Sequence, residues 1–122
     1  MSLHLVLPLP PNRGNDRSHW RKVQREKAAY YKAAWVRILQ QTRPTDRGAR
    51  EDQRIRLTAK LYVWNKYDPD GAVALLKWPI DSLRYAHVLF EDKEPHCTLS
   101  GIPKQEIDRK NPRVELWLEP AA

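Results

Sequence analysis

The chain has 122 residues, a formal net charge of +7, 41% hydrophobic residues, five tryptophans and a single cysteine, Cys97. That length suits one core and is too short for two, so a single domain over 1–122 is expected, and the apolar content excludes a disordered chain. One cysteine excludes a disulfide framework or a cysteine-rich zinc site, His4, His19, His87 and His96 show no paired ligand spacing, and no apolar run reaches the ~20 residues of a membrane span. A soluble protein of the reducing cytoplasm, with no membrane partner, is the expectation.

Leu3, Leu5 and Leu7 alternate with His4 and Val6, which predicts a first strand that Pro8, Pro10 and Pro11 end. The prolines and the missing basic leader segment argue against a signal peptide. The polar stretch NRGNDRSHWRK leads into a helix over 18–42, with Asp16 or Ser18 as N-cap and Trp20, Val23, Tyr31, Ala34 and Ile38 at helical spacing toward the core. RPTDRGARED reads as a polar, mobile loop. Ile55, Leu57, Ala59, Leu61 and Val63 then alternate with polar or aromatic neighbours over a nine-residue strand. A second helix is predicted over 71–85 with Val73, Leu76, Ile80 and Leu83 facing inward, kinked or split by Pro79. A short strand near Cys97 to Gly101 and a closing strand carrying Val114, Leu116 and Leu118 complete the chain. This order defines an α/β (α+β) fold, a small mixed sheet of about four strands with two main helices.

Charge is divided unevenly. Residues 1–60 hold fourteen Lys and Arg against five Asp and Glu, whereas 61–122 hold eight against ten. In the first helix Arg17, Arg21 and Arg25 repeat every four residues, with Lys22 and Lys32 near them. Like charges at that spacing cost an isolated helix a few tenths of a kcal/mol, so the stripe invites a phosphate backbone, although a solvated helix face is the plainer reading of any charge run. His19 and Trp20 can contact a sugar or stack on a base, with the core the first expectation for Trp20.

The acids gather at Asp68-Pro69-Asp70. Pro69 favours extended backbone at Asp68 and belongs at a strand exit, where residues i and i+2 share a side about 6.6 Å apart. Carboxylates so close repel unless a cation lies between them, and Mg²⁺ suits such a set. One of Glu91 and Asp92 supplies a third acid. Lys77 lies nearly two helical turns past Asp70 and can meet a phosphate, with Asp81 four residues on to orient it. Each has a duller reading: Asp70 as an N-cap, Glu91 and Asp92 as turn residues, Lys77–Asp81 as a surface pair. Basic stripe and acids together describe an enzyme that holds nucleic acid by its phosphates and cuts it with Mg²⁺.

LPLPP with Asn15 and His19-Trp20, then DPD at 68–70, LLKWPIDSL at 75–83, VLFED at 88–92 and VELWL near the end follow one another in an order that resembles the RusA family of Holliday junction resolvases. These are small endonucleases of bacteria and their prophages. The resemblance implies a homodimer of small α/β subunits that resolves four-way DNA junctions by paired symmetric nicks in recombination and repair, with Mg²⁺ as cofactor and Mn²⁺ as a substitute. It carries the catalytic and metal-binding acids onto Asp68, Asp70 and Asp92 and the catalytic lysine onto Lys77. The DNA-binding residues are expected at Asn15, Arg17, His19, Arg21, Lys22 and Arg25. Two departures stand out. Gly71 occupies a place where the family usually has Asn. Some members carry the lysine one turn after the second Asp, where this chain has Ala74, but Asp81-Ser82-Leu83 after Lys77 also match. The Gly71 change gives the competing expectation of a catalytically impaired branched-DNA-binding module, and Asp-x-Asp gives another, a metal-dependent glycosyltransferase, against which the short chain and its basic half count.

Overall fold

The computed structural model describes residues 2–11 and 20–121. Its elements in chain order are β1 (Leu3–Pro8), α1 (Trp20–Gln41), a 3₁₀ turn (Pro44–Arg47), β2 (Ile55–Val63), α2 (Pro69–Ala74), α3 (Lys77–Tyr85), β3 (Cys97–Leu99), β4 (Lys104–Ile107) and β5 (Arg113–Pro120). The fold is mixed α+β, a five-stranded mixed sheet with helices on it. Asp16 and Ser18, the expected N-caps of the first helix, lie outside the described residues.

β5 runs antiparallel between β1 and β2. Beyond β2, its outer edge is shared: β3 pairs in parallel with Ile55–Leu57 and β4 with Lys60–Val63. Alternation on each long strand sends Leu5, Leu7, Leu57, Leu61, Val63, Val114, Leu116 and Leu118 into one core. Tyr30, Ala34 and Ile38 of α1 and Leu76 and Leu83 of the second helical segment are buried with them. His4, Lys60, Tyr62, Arg113, Glu115 and Trp117 occupy the other register positions; there His4 stacks on Trp117 with centroids 4.6 Å apart, and Arg113 lies 3.6 Å over the Tyr62 ring.

The helices correct two expectations. Trp20 is 65% exposed instead of core, because it opens α1 ten residues before Tyr30, the first buried position of that helix. The second helix is split in two, one of the outcomes expected of Pro79, but the break falls before that residue: Leu75 and Leu76 join α2 to α3, and the Leu76 N–H reaches back only to Val73 O at 3.0 Å. Pro79 thereby falls in the first turn of α3, where no backbone N–H is required, and the carbonyl its ring would otherwise strike is that of Leu75, at the break. The break also turns Val73 outward, at 40% exposure.

Neither remaining correction had an apolar period to reveal it. The segment after α1 is not structureless: Pro44–Arg47 forms a 3₁₀ turn whose buried Asp46 accepts from the Arg43 N–H at 2.9 Å. β4, Lys-Gln-Glu-Ile, is a strand beyond the four expected. Among the described residues no helix is long and apolar enough to cross a membrane.

Candidate active site

β2 ends at Val63, and Asp68 follows four residues later with extended backbone, φ −66° and ψ 167°. Pro69 then starts α2, its fixed φ being ready for a first helical position. Asp68 Oδ1 accepts from the Gly71 N–H at 2.7 Å, so the N-cap is Asp68 and not Asp70. Asp70 lies inside the first turn of α2, where its charge is favoured by the helix dipole, rather than in the extended arrangement expected for Asp-x-Asp. Both acids are exposed. A Cβ on residue 71 would come within 2.8 Å of Asp68 Oδ1, so glycine there is what lets the Asp68 carboxylate close on the helix end. The cap uses one of about four acceptor directions of that carboxylate.

α3 carries the next groups. Lys77 is its first residue and is exposed, while Asp81, one turn on, is buried at 6% exposure. The helix ends in a Schellman motif: Val88 N–H bonds to Leu83 O at 2.9 Å, His87 N–H to Arg84 O at 3.0 Å, and His87 takes the left-handed conformation at φ 62°. This reversal returns the chain so that the Asp92 carboxyl lies against that of Asp81. Tyr31 of α1 donates its hydroxyl to Asp81 Oδ2 at 3.1 Å.

Burial pushes the Asp81 carboxyl above the usual carboxylate range, and Asp92 adds to the rise; the Tyr31 hydrogen bond and the Lys77 charge oppose it. Asp92 is held below that range, first by the hydrogen bond with Asp81, with Arg84 and Lys77 assisting. The contact and the unequal burial thus push the two carboxyls apart, Asp81 up and Asp92 down. Of Glu91 and Asp92, it is Asp92 that reaches this contact.

Helix α1 connects the basic stripe to the acids. Arg21, Lys22 and Arg25 are all exposed on its first half, with the Arg21 guanidinium 5.7 Å from the Trp20 ring centroid. Two turns on, Lys27 Nζ lies 5.7 Å from the centroid of Tyr31, the residue that bonds Asp81. Asn15, Arg17 and His19 lie outside the described residues.

Three contributors escaped the sequence reading. Tyr31 was expected in the core, yet it is half-buried and bonds an acid. Asp81 was read as a partner for Lys77, yet its closest acidic neighbour is Asp92. Gln105, on the unexpected β4, holds the Tyr67 backbone immediately before Asp68 through both ends of its amide. The only advance signal was the helical spacing that sets Asp81 one turn after Lys77.

The donor set of Asp68, Asp70, Asp81 and Asp92 is all carboxylate oxygen, which suits a hard cation such as Mg²⁺. Among the described residues no group of three or more His, Cys, Asp or Glu is arranged to hold a metal ion. The arrangement assembled without one is a two-carboxyl contact flanked by Lys77 and Arg84. No model of a known protein family matches the chain. No curated protein matches it either.

Proposed function

We propose that the protein is a divalent-metal-dependent endodeoxyribonuclease that acts on branched DNA, of the kind its resemblance to the RusA resolvases implies. The observation that carries this reading is the Asp81–Asp92 contact, tied through Tyr31 to the helix that bears Arg21, Lys22 and Arg25. Acids alone would suit many proteins. Acids beside a cationic helix suit one that brings a phosphodiester to them.

When bound, Mg²⁺ supplies an activated water and charge neutralisation for phosphodiester hydrolysis. Asp68, Asp70 and Asp92 are the carboxylates proposed to hold it, with Asp81 behind Asp92. Lys77 offsets charge on the scissile phosphate from the start of α3. Arg21, Lys22 and Arg25 bind flanking phosphates, and Asn15, Arg17 and His19 extend that run in the sequence. Trp20, exposed beside Arg21, would stack on a base. A two-fold dimer would present two such sites to opposed strands of a four-way junction, giving paired nicks in the bacterial cytoplasm. The test is cleavage of a synthetic junction with Mg²⁺ or Mn²⁺. Wild type is expected to nick it and Asp70→Asn to lose at least 100-fold in rate, so full activity in that variant would reject Asp70 as a ligand.

The competing reading, a DNA-binding module without chemistry, is favoured by two observations: Asp68 is engaged by Gly71, and no three-acid group forms among the described residues. It predicts tight, salt-sensitive junction binding and no cutting with either metal.

A further inference from the structure

At the elbow where α3 reverses toward Asp92 lies a cleft of about 530 Å³, lined by Ala49, Arg84, Tyr85, His87, Phe90 and Glu91. Two of its walls are aromatic and open to solvent, Tyr85 at 49% exposure and Phe90 at 40%. Neither ring is loose. The Arg84 guanidinium lies 4.7 Å from the Tyr85 centroid, Tyr31 packs edge-on to Tyr85 at 5.2 Å, and His96 lies 4.9 Å from Phe90. The back of the elbow is fixed by the Ala49 N–H bonding His87 O at 3.0 Å.

Exposed flat rings, Tyr85 with the Arg84 guanidinium over one face and Phe90 tilted against His96, are poorly explained by stability. Burying either ring would release more free energy than exposing it. They do match what an unstacked nucleobase needs: a π surface on which any base can lie and a cation for the phosphate beside it. The position fits as well. Phe90 precedes Asp92 by two residues, at most about 7 Å of chain, so a strand whose phosphate meets the acids has a base within reach of the cleft.

We propose that this cleft receives one unpaired nucleobase of the DNA strand at the acidic site, stacked against Phe90 and Tyr85 with Arg84 on the adjoining phosphate. The proposal rests on the nucleic-acid reading above and adds to it a subsite for an unstacked base. Branched DNA, whose bases are loosened at the crossover, supplies such a base at lower cost than a continuous duplex.

The experiment is fluorescence anisotropy in metal-free buffer with three labelled DNAs: a paired duplex, the same duplex with a one-nucleotide bulge, and that bulge made abasic. Wild type is expected to bind the bulged base about ten-fold tighter than the abasic bulge. Phe90→Ala should bind both alike while keeping wild-type affinity for the paired duplex. Phe90→Leu, which keeps apolar bulk without a π face, should behave the same way and serves if the alanine variant fails to fold. Asp70→Asn should lose cutting but keep the discrimination, so failure of the nuclease reading and failure of this one are separable. Equal binding of both bulges by wild type, or an undiminished preference in Phe90→Leu, overturns the proposal.

Discussion

The side-chain amide of Gln105 grips the backbone of Tyr67 at both ends, Nε2 donating to Tyr67 O at 2.9 Å and Oε1 accepting from Tyr67 N–H at 2.8 Å. A chain that has left β2 is thereby held in sheet-like register for one more residue, and the next residue is Asp68. β4 is what brings the amide there, through its parallel pairing with Lys60–Val63. Gln105→Ala should cost about 1–2 kcal/mol of stability from the two lost hydrogen bonds, read as a shift in the urea midpoint. The nicking rate on a junction should fall further than stability does, because Asp68 loses its anchor. A rate unchanged in folded protein would mean that Gln105 serves the fold alone.

Tyr31 and Asp81 provide a second test. Phe at 31 keeps the ring against Trp78 and Tyr85 but removes the hydroxyl that Asp81 Oδ2 accepts. Tyr31→Phe should destabilise by about 1 kcal/mol. In a double-mutant cycle with Asp81→Asn, the two changes should be non-additive by roughly 0.5–1 kcal/mol. Additivity would place the two side chains out of contact in solution.

The strands were legible in the sequence wherever one face is buried, since a period of two over Ile55–Val63 and Val114–Leu118 leaves no other register. The candidate site was proposed from residue types, and its geometry was less legible. Asp68, Asp70 and Lys77 could be named from their spacing, but the Asp-Pro-Asp turn reads equally as extended chain or helix start, and only the Gly71 N–H decides between them. Gln105 and Tyr31 act through partners 38 and 50 residues away. Such contacts leave no local pattern. β4 was missed for the same reason: its four residues expose most of their surface and pair at an edge.

His87 predicts an increase in stability. It occupies the left-handed position that closes α3, where a Cβ costs roughly 1 kcal/mol and glycine pays nothing. His87→Gly should therefore stabilise by up to about 0.5 kcal/mol after glycine's greater freedom in the unfolded chain is counted. Thermal unfolding of the two proteins checks the sign, and a lower midpoint in the variant would contradict it.

The Asp108–Arg113–Glu115–His4 network predicts acid sensitivity. Burial pushes Glu115 up, but the hydrogen bonds from His4 and Arg113 outweigh it and hold the carboxyl below the ordinary value of 4.5. Asp108 is likewise lowered, chiefly by Arg113. A carboxylate depressed in the folded state contributes stability that is complete above its unfolded value and lost as pH falls through the folded one. Urea midpoints should thus hold steady down to about pH 5 and drop below it. Glu115→Gln should be less stable at pH 7 and show a shallower acid decline; equal slopes would remove Glu115 from the network.

The central claim, that acids from α2 and from the turn after α3 serve one divalent cation, is tested most directly by anomalous diffraction from crystals soaked in Mn²⁺. The account predicts an anomalous peak within coordination distance of Asp92 and of at least one of Asp68 and Asp70. No peak near these carboxylates at millimolar metal, or a peak bound only elsewhere on the chain, would contradict it.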